Sequence, residues 1–457
     1  MLVNKKDIIL RNPFNIILLL IVIIIPFLTN INYLFPIAVL IALIFFVVIL
    51  RDLKYGLFIF AFGYPLISFI ERGLVIPGLA LNEVLLVFIG IVFLINIFTG
   101  KYQLKRNGLL IPFMVYFFCA GFIPLFVTIL NKQILTLKIL LQFFASIQYY
   151  LILVMFQCVL KNENEKKTLL FWVLGGSVIV SIIGIFQWFN IFNMNALLSK
   201  IYTVEWLNVV ETDISRFEIA RRVTSTLNNW NGCGAYLGVI VFIAFFLLRF
   251  VKSVINKIIV LVIAILNAIC LILTFSLTSY IMLIMMFLML ALLTRRYKLI
   301  LYFLLMFVSL VIILAPFFEQ QIQRQFGYGG WIPYSLLHRE KIWMEEMVPQ
   351  IMKHPLIGIG ADYYRLEHVA ESFYFFLLVS GGVFLLCAFI FLFFKMVYEA
   401  IQNIRMADND FTKYLGRVIL SLLIAVLIGN FTEPYFRFAG MAELIWILMA
   451  ISYPSKM

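Results

Sequence analysis

The polar chemistry of this chain is concentrated in two stretches. The first, ETDISRFEIARRVTSTLNNWNGCGAYLG at 211–238, carries Arg216, Arg221 and Arg222, then Asn228, Asn229 and Asn231. The second, Ser335 to Gly382, holds all three histidines (His338, His354, His368) with Arg339, Arg365, Glu367 and Glu371. Arginine reads phosphate well because its planar, always-charged guanidinium bonds two oxygens at once. Arg216, Arg221, Arg222, Arg339 and Arg365 are therefore candidates for gripping a diphosphate. A carboxylate or imidazole nearby can take the proton of an attacking hydroxyl, which makes Glu371 and His368 the candidate bases. Asn231, Trp343 and Tyr374 offer the hydrogen-bonding and stacking surface that a glycan needs.

Each of these residues also has a plainer reading. The arginines can pair with neighbouring Glu and Asp or touch lipid phosphates, and Asn231 can simply cap a helix. Glu371 gains from a helix dipole with no chemistry at all, and Trp343 suits an interfacial aromatic belt. Other chemistries are poorly served. The histidines are far apart and no HExxH or HxH spacing occurs, so no metal site is expected. There is no GxxxxGK[ST], no dinucleotide glycine fingerprint and no G-x-S-x-G, so neither a nucleotide nor any other cofactor is expected. HPLIGIG (354–360) reads as a tight backbone of close approach, with Gly358 and Gly360 as the permissive positions.

The elements that must hold these residues are apolar. Of 457 residues, 64% are hydrophobic and 12% charged, with a mean hydropathy of +1.08. Apolar runs repeatedly reach the roughly 18–25 residues that cross a bilayer. The expected fold is an all-α polytopic membrane protein of about 14 transmembrane helices, with two large outer loops containing short helices. The spans begin near Phe14, Tyr33, Gly56, Val84, Leu109, Ile139, Thr168, Gly232, Val254, Thr278, Leu299, Ser372, Tyr414 and Phe438. Pro26 and Pro65 should kink theirs. The N-terminal MLVNKKDIILRNPFN has no small-residue cleavage site behind it and reads as a retained signal-anchor.

The net charge of +13 is explained by topology rather than by nucleic acid. With the N-terminus inside, Lys5, Lys6, Arg11, Arg51, Lys54, Lys101, Lys161, Lys166, Lys167, Arg249, Lys252, Arg295, Arg296, Lys395 and Lys413 all fall on the inner side. The five cysteines sit in or beside apolar runs without paired spacing and read as small buried residues. The chain divides into an N-terminal bundle (1–189), a first outer loop (190–231), central spans (232–316), a second outer loop (317–371) and C-terminal spans (372–457). Both outer loops carry clustered cations against the positive-inside bias, and an anionic ligand would account for them. Within the first, Asp213–Arg222 reads as a short amphipathic helix lying on the membrane.

RVTSTLNNWNGCGAYL (222–237) resembles the pattern R-x-x-G-T-F-x-x-P-N-x-x-A-x-Y-L of the bacterial O-antigen polymerase and ligase family. LTFSLTSY (273–280) is similar to that family's L-T-x-S-R-G segment. Arg339 through Trp343, HPLIGIG and AESFYFFLLVSGG resemble its second signature. The resemblance covers roughly the C-terminal half. It implies a metal-independent glycosyltransferase of the bacterial cytoplasmic (inner) membrane, with its site facing the periplasm or cell exterior. The implied partners are undecaprenyl-diphosphate-linked oligosaccharides, membrane lipids and a chain-length regulator protein. Arg222, Arg339 and Arg365 would then hold donor or acceptor diphosphate. Where ligases carry A-H-N-x-Y-L, this chain has Ala370-Glu371-Ser372-Phe373-Tyr374-Phe375. Leu277 replaces the Arg of S-R-G, and Trp230 the Pro before Asn231. The missing His favours a polymerase, with Glu371 or His368 as base. A ligase and a transporter or flippase are the alternatives, the latter expected to place ionisable groups on broken helices at mid-membrane.

Overall fold

The computed structural model describes residues 48–68, 70, 80–104, 107–132, 140, 145–201, 222–227, 229–314, 334–360, 363, 372–438 and 440–454. The first two expected spans, from Phe14 and Tyr33, and the signal-anchor lie outside the described residues. A helix overlaps each of the other twelve expected runs, although the one for the run from Ile139 starts only at Ile147, most of the stretch around that expected start lying outside the described residues. The helices are α1 (Leu53–Ile67), α2 (Leu81–Phe98), α3 (Leu110–Leu130), α4 (Ile147–Val159) and α5 (Glu163–Phe189). A short α6 (Met194–Ile201) precedes α7 (Trp230–Phe250), α8 (Val254–Leu273), α9 (Leu277–Thr294) and α10 (Lys298–Leu314). In the second large loop, α11 (Tyr334–Ile342) runs through a π-turn (Trp343–Met347) into α12 (Val348–Lys353). The chain ends on α13 (Phe373–Met406), α14 (Asp410–Gly429) and α15 (Met441–Ser452).

Among the described residues, eight of these helices are long and apolar enough to cross a membrane. Their outward faces agree with that. Ile111, Met114, Phe118, Phe122, Phe126 and Ile129 repeat at three- and four-residue spacing along one face of α3 and are all exposed, Ile111 by 71%. Such a stripe belongs against lipid, since water would penalise it. In contrast, α7 and α15 are almost wholly buried and form the centre of the bundle. Around them α5 packs on α1 and α8, α14 on α9 and α13, α13 on α3, and α4 on α15. Close approach is allowed by small residues: a Cβ on Gly176 of α5 would lie 2.2 Å from the Phe62 carbonyl oxygen of α1.

The bundle has two chemically distinct ends. At one, the buried Lys166 at the start of α5 donates to the Tyr453 carbonyl just past α15 (2.5 Å), and Asn403 donates to Ser452 (3.1 Å). The short inter-helix turns at this end carry Arg51, Lys54, Lys101, Lys161, Arg249, Lys252, Arg295 and Arg296, as the charge pattern requires. At the other end, Thr226 donates to the Pro65 carbonyl at the end of α1 (2.8 Å). Asn82 at the start of α2 reaches Glu443 at the start of α15 (3.3 Å). Every described candidate site residue lies at this second end.

Candidate functional site

The segment 222–227 does not run over the surface. Val223 to Leu227 are buried, and one side chain meets two of the backbone amides that burial would otherwise orphan, the Val223 and Leu227 amides donating to the carbonyls of Leu273 and Thr224. Gln187 of α5 accepts from the amides of Thr224 (3.0 Å) and Ser225 (2.8 Å) and donates to the Thr224 hydroxyl (3.1 Å). Ser225 donates to the Val180 carbonyl (2.6 Å). Its φ of +51° lies in the left-handed region that favours glycine, and Ser225 stands where the resembled pattern has Gly. This pinned loop delivers Arg222 to the head of α7, where the guanidinium lies 5.0 Å from the centroid of the Trp230 ring.

Three chain segments meet at the same helix head. Asn229 caps α7, accepting from the amides of Asn231 (2.7 Å) and Gly232 (3.2 Å), so capping does not fall to Asn231. The Asn231 amide instead accepts from Ser276 Oγ (2.8 Å) and donates to Glu433 (2.6 Å). Ser276 caps α9 and shares hydrogen bonds with Ser279 (2.7 Å) and Thr278 (3.2 Å). Gly234 permits the approach, because a Cβ there would stand 2.7 Å from Ser279 Oγ. Arg339 of α11 reaches across to form a buried ion pair with the same carboxylate oxygen of Glu433. Burial, with Glu433 alongside, pushes the Tyr435 phenol well up from its usual value and keeps it neutral. Network and stacking thus join Arg222, Asn231, Ser276, Arg339 and Glu433 around one helix N-terminus, a place that favours anions.

Of the residues expected to serve the site, Arg222, Asn231 and Arg339 are brought together. Trp343 shares the bundle-facing side of its helix with Arg339, and its ring stacks on Phe375 at 5.3 Å and 16°. Tyr374 gives its hydroxyl to the Leu427 carbonyl (2.7 Å) and packs on Phe431. Glu371, His368, Arg365, Arg216 and Arg221 lie outside the described residues, as does the amphipathic helix expected from Asp213, apart from its last residue. Sequence reasoning missed Glu433. It follows α14 in NFTEPYF, and only its position as an acid flanked by two apolar helices hinted at a role.

HPLIGIG and FYFFLLVSGG (373–382) together build a broken helix. α13 is interrupted at Gly382 (φ +68°, ψ −165°), and the HPLIGIG segment fills the gap. The amides of Val383 and Phe384 donate to the carbonyls of Pro355 (2.9 Å) and Leu356 (3.4 Å), and Ile359 donates to Val379 (2.8 Å). Gly358 and Gly360 both have positive φ, as the tight-backbone reading expected. Beside this break lies a cavity of about 230 Å³ whose wall includes Glu83, Gly360, Phe376, Arg437 and Glu443. None of the five described residues among those proposed for the site on sequence grounds lines it.

Fold and site define a multi-pass helical membrane protein with a buried polar centre at one end of its bundle. No family model and no curated protein matches the chain.

Proposed function

We propose that the protein is a polysaccharide polymerase that joins undecaprenyl-diphosphate-linked repeat units at the outer face of a bacterial cytoplasmic membrane. One observation carries the reading. The three segments that resemble the polymerase and ligase family, far apart in sequence, converge through Asn231, Ser276 and Arg339 on Glu433. In the proposed reaction an acceptor hydroxyl attacks the anomeric carbon of the donor sugar. The bond to the diphosphate oxygen breaks as the new glycosidic bond forms, and the hydroxyl proton passes to Glu371 or His368. Arg222 with Arg365, Arg216 and Arg221 would offset the charge growing on the departing lipid diphosphate, a form of preorganised electrostatics. Arg339, held by Glu433, would position the second large loop over the site. Departure of the diphosphate drives the transfer, so no nucleotide is required.

The test is glycan length in cells carrying Arg222→Lys, Arg339→Lys or Glu371→Gln, each checked for membrane insertion. Collapse of the polymer ladder to single repeats is expected, and normal ladders would refute the assignment. A ligase would instead leave lipid-linked polymer to accumulate unattached. The broken α13 beside ionisable groups favours a second reading, a transporter or flippase. Solute flux across reconstituted vesicles without glycan extension would establish that alternative.

A further inference from the structure

The cavity beside the α13 break has features that the residues discussed so far do not use. Asn82, 4% exposed, lines it. The Asn82 Nδ2 donates to Glu443 (3.3 Å), while its Oδ1 is buried with no partner among the described residues. Ser146, also in the wall, has a buried hydroxyl in the same condition. Buried polar atoms are nearly always satisfied, and leaving one unmet costs about 1–3 kcal/mol. Two on one wall indicate a polar ligand.

The remaining groups define its chemistry. Glu83 and Glu443 each accept from the amide heading their own helix, at Ala80 (2.9 Å) and Gly440 (2.6 Å), through Oε2. Both residues line the cavity, and the Oε1 of Glu443 takes the Asn82 amide, so this carboxylate holds Asn82 with its Oδ1 unmet among the described residues. Arg437 is held from the far side: its guanidinium lies 3.9 Å from the Phe376 centroid and donates to the Tyr363 hydroxyl (3.1 Å). Tyr149 supplies an aromatic face. A wall of carboxylates, one guanidinium, a side-chain carbonyl and aromatic rings matches a ring of hydroxyls with apolar C–H faces. The guanidinium argues against a metal cation. A volume of about 230 Å³ is many times the roughly 10–15 Å³ that one water occupies by the same measure.

We propose that this cavity is a sugar subsite. It takes one pyranose ring, one hydroxyl of which donates to Asn82 Oδ1 while another pairs with the Ser146 hydroxyl and a sugar oxygen accepts from Arg437. The subsite deepens the polymerase reading, because the pyranose is taken to belong to the lipid-linked glycan. It also explains the helix break. An interrupted backbone at membrane depth is tolerated where it lines a polar cavity, and Gly360 and Ser380, on either side of the plug, both line this one.

The test is saturation-transfer NMR on the full chain in detergent, with N-acetylglucosamine and glucuronic acid as separate probes, alongside an extension assay on lipid-linked repeats. At least one probe should receive saturation from the wild type. Asn82→Leu and Arg437→Gln should weaken that binding about tenfold or more, the worth of one good hydrogen bond to a charged or buried group. If Arg437→Gln does not insert, Ser146→Ala carries the test, since it removes a single hydroxyl and should weaken binding several-fold. No saturation transfer to either probe from the wild type, or equal transfer in the variants, overturns the subsite. Binding that responds to the variants, in a protein that extends no glycan, upholds the subsite and overturns the polymerase.

Discussion

The Arg339–Glu433 pair can be tested as a free energy. The two side chains are 8% and 3% exposed, so both charges are almost wholly removed from solvent. In such a site, removing one partner leaves the other buried without compensation, at a cost of about 3–5 kcal/mol. Arg339→Met does that to Glu433, since the neutral Asn231 amide that still donates to it cannot balance its charge. Glu433→Gln is milder, because the new amide oxygen can still accept from both Arg339 and Asn231. It loses charge rather than all contact, at a cost of about 1–2 kcal/mol. In the double variant no uncompensated carboxylate remains, so the combined cost should fall below the sum by about 2 kcal/mol.

Equilibrium unfolding in mixed micelles would supply the four stabilities of this cycle. A second readout isolates the joint itself. Arg339 is a charged link from α11 to the bundle, beside the apolar cluster of Ile342, Met347, Ile359, Tyr363 and Val379 and the backbone bonds of the HPLIGIG plug to α13. In Arg339→Met, proteolysis within α11 and α12 should therefore accelerate while the transmembrane helices stay protected. Additive costs, within about 0.5 kcal/mol, with unchanged cleavage would refute the claim that the pair fastens the second loop to the α7 head.

Two further outcomes follow from backbone geometry. Gly382→Ala places a Cβ 2.2 Å from the Leu356 backbone at a positive φ, so the plug must leave the α13 break. A loss of about 3 kcal/mol or more, or failure to insert, is expected from unfolding in micelles. Ser225→Gly relieves a left-handed serine by about 1 kcal/mol but gives up its hydrogen bond to Val180, worth about the same, so stability should barely move. Ser225→Val keeps the strain and loses the bond, and should be destabilised by about 2 kcal/mol or more; equal stability of the two variants would show that φ at this position carries no cost.

Much of the architecture was legible in the sequence because lipid imposes simple rules. Every backbone group must be satisfied within its own helix, so span positions follow from apolar length alone. The cationic turns then follow from topology. Helix ends were less legible. α1 stops at Ile67, two residues past Pro65, and α13 extends over 34 residues with its break at Gly382, well beyond the roughly 20 that one span needs. The site was legible only where motifs were contiguous. Arg222, Asn231 and Arg339 were visible as residues, but their meeting point, Glu433, was not. It belongs to a short turn and pairs with residues 94 and 202 positions away. Pairings over such separations leave no periodic trace in composition or spacing.

The cavity illustrates the same limit from the other side. Glu83 and Glu443 each occupy the third position of an apolar helix, where a carboxylate is explained fully by the amides it satisfies. Read singly, neither suggests a site. What distinguishes them is that α2 and α15 begin at the same end of the bundle and are joined by Asn82, so two helix-capping acids face one space. Arg437, three residues past Pro434, looks like an ordinary turn cation until the broken α13 brings Phe376 under it. The network around Glu433 and the cavity around Arg437 thus share one turn between α14 and α15. Any movement of that turn would reposition Glu433 against Arg339 and Arg437 against the cavity together.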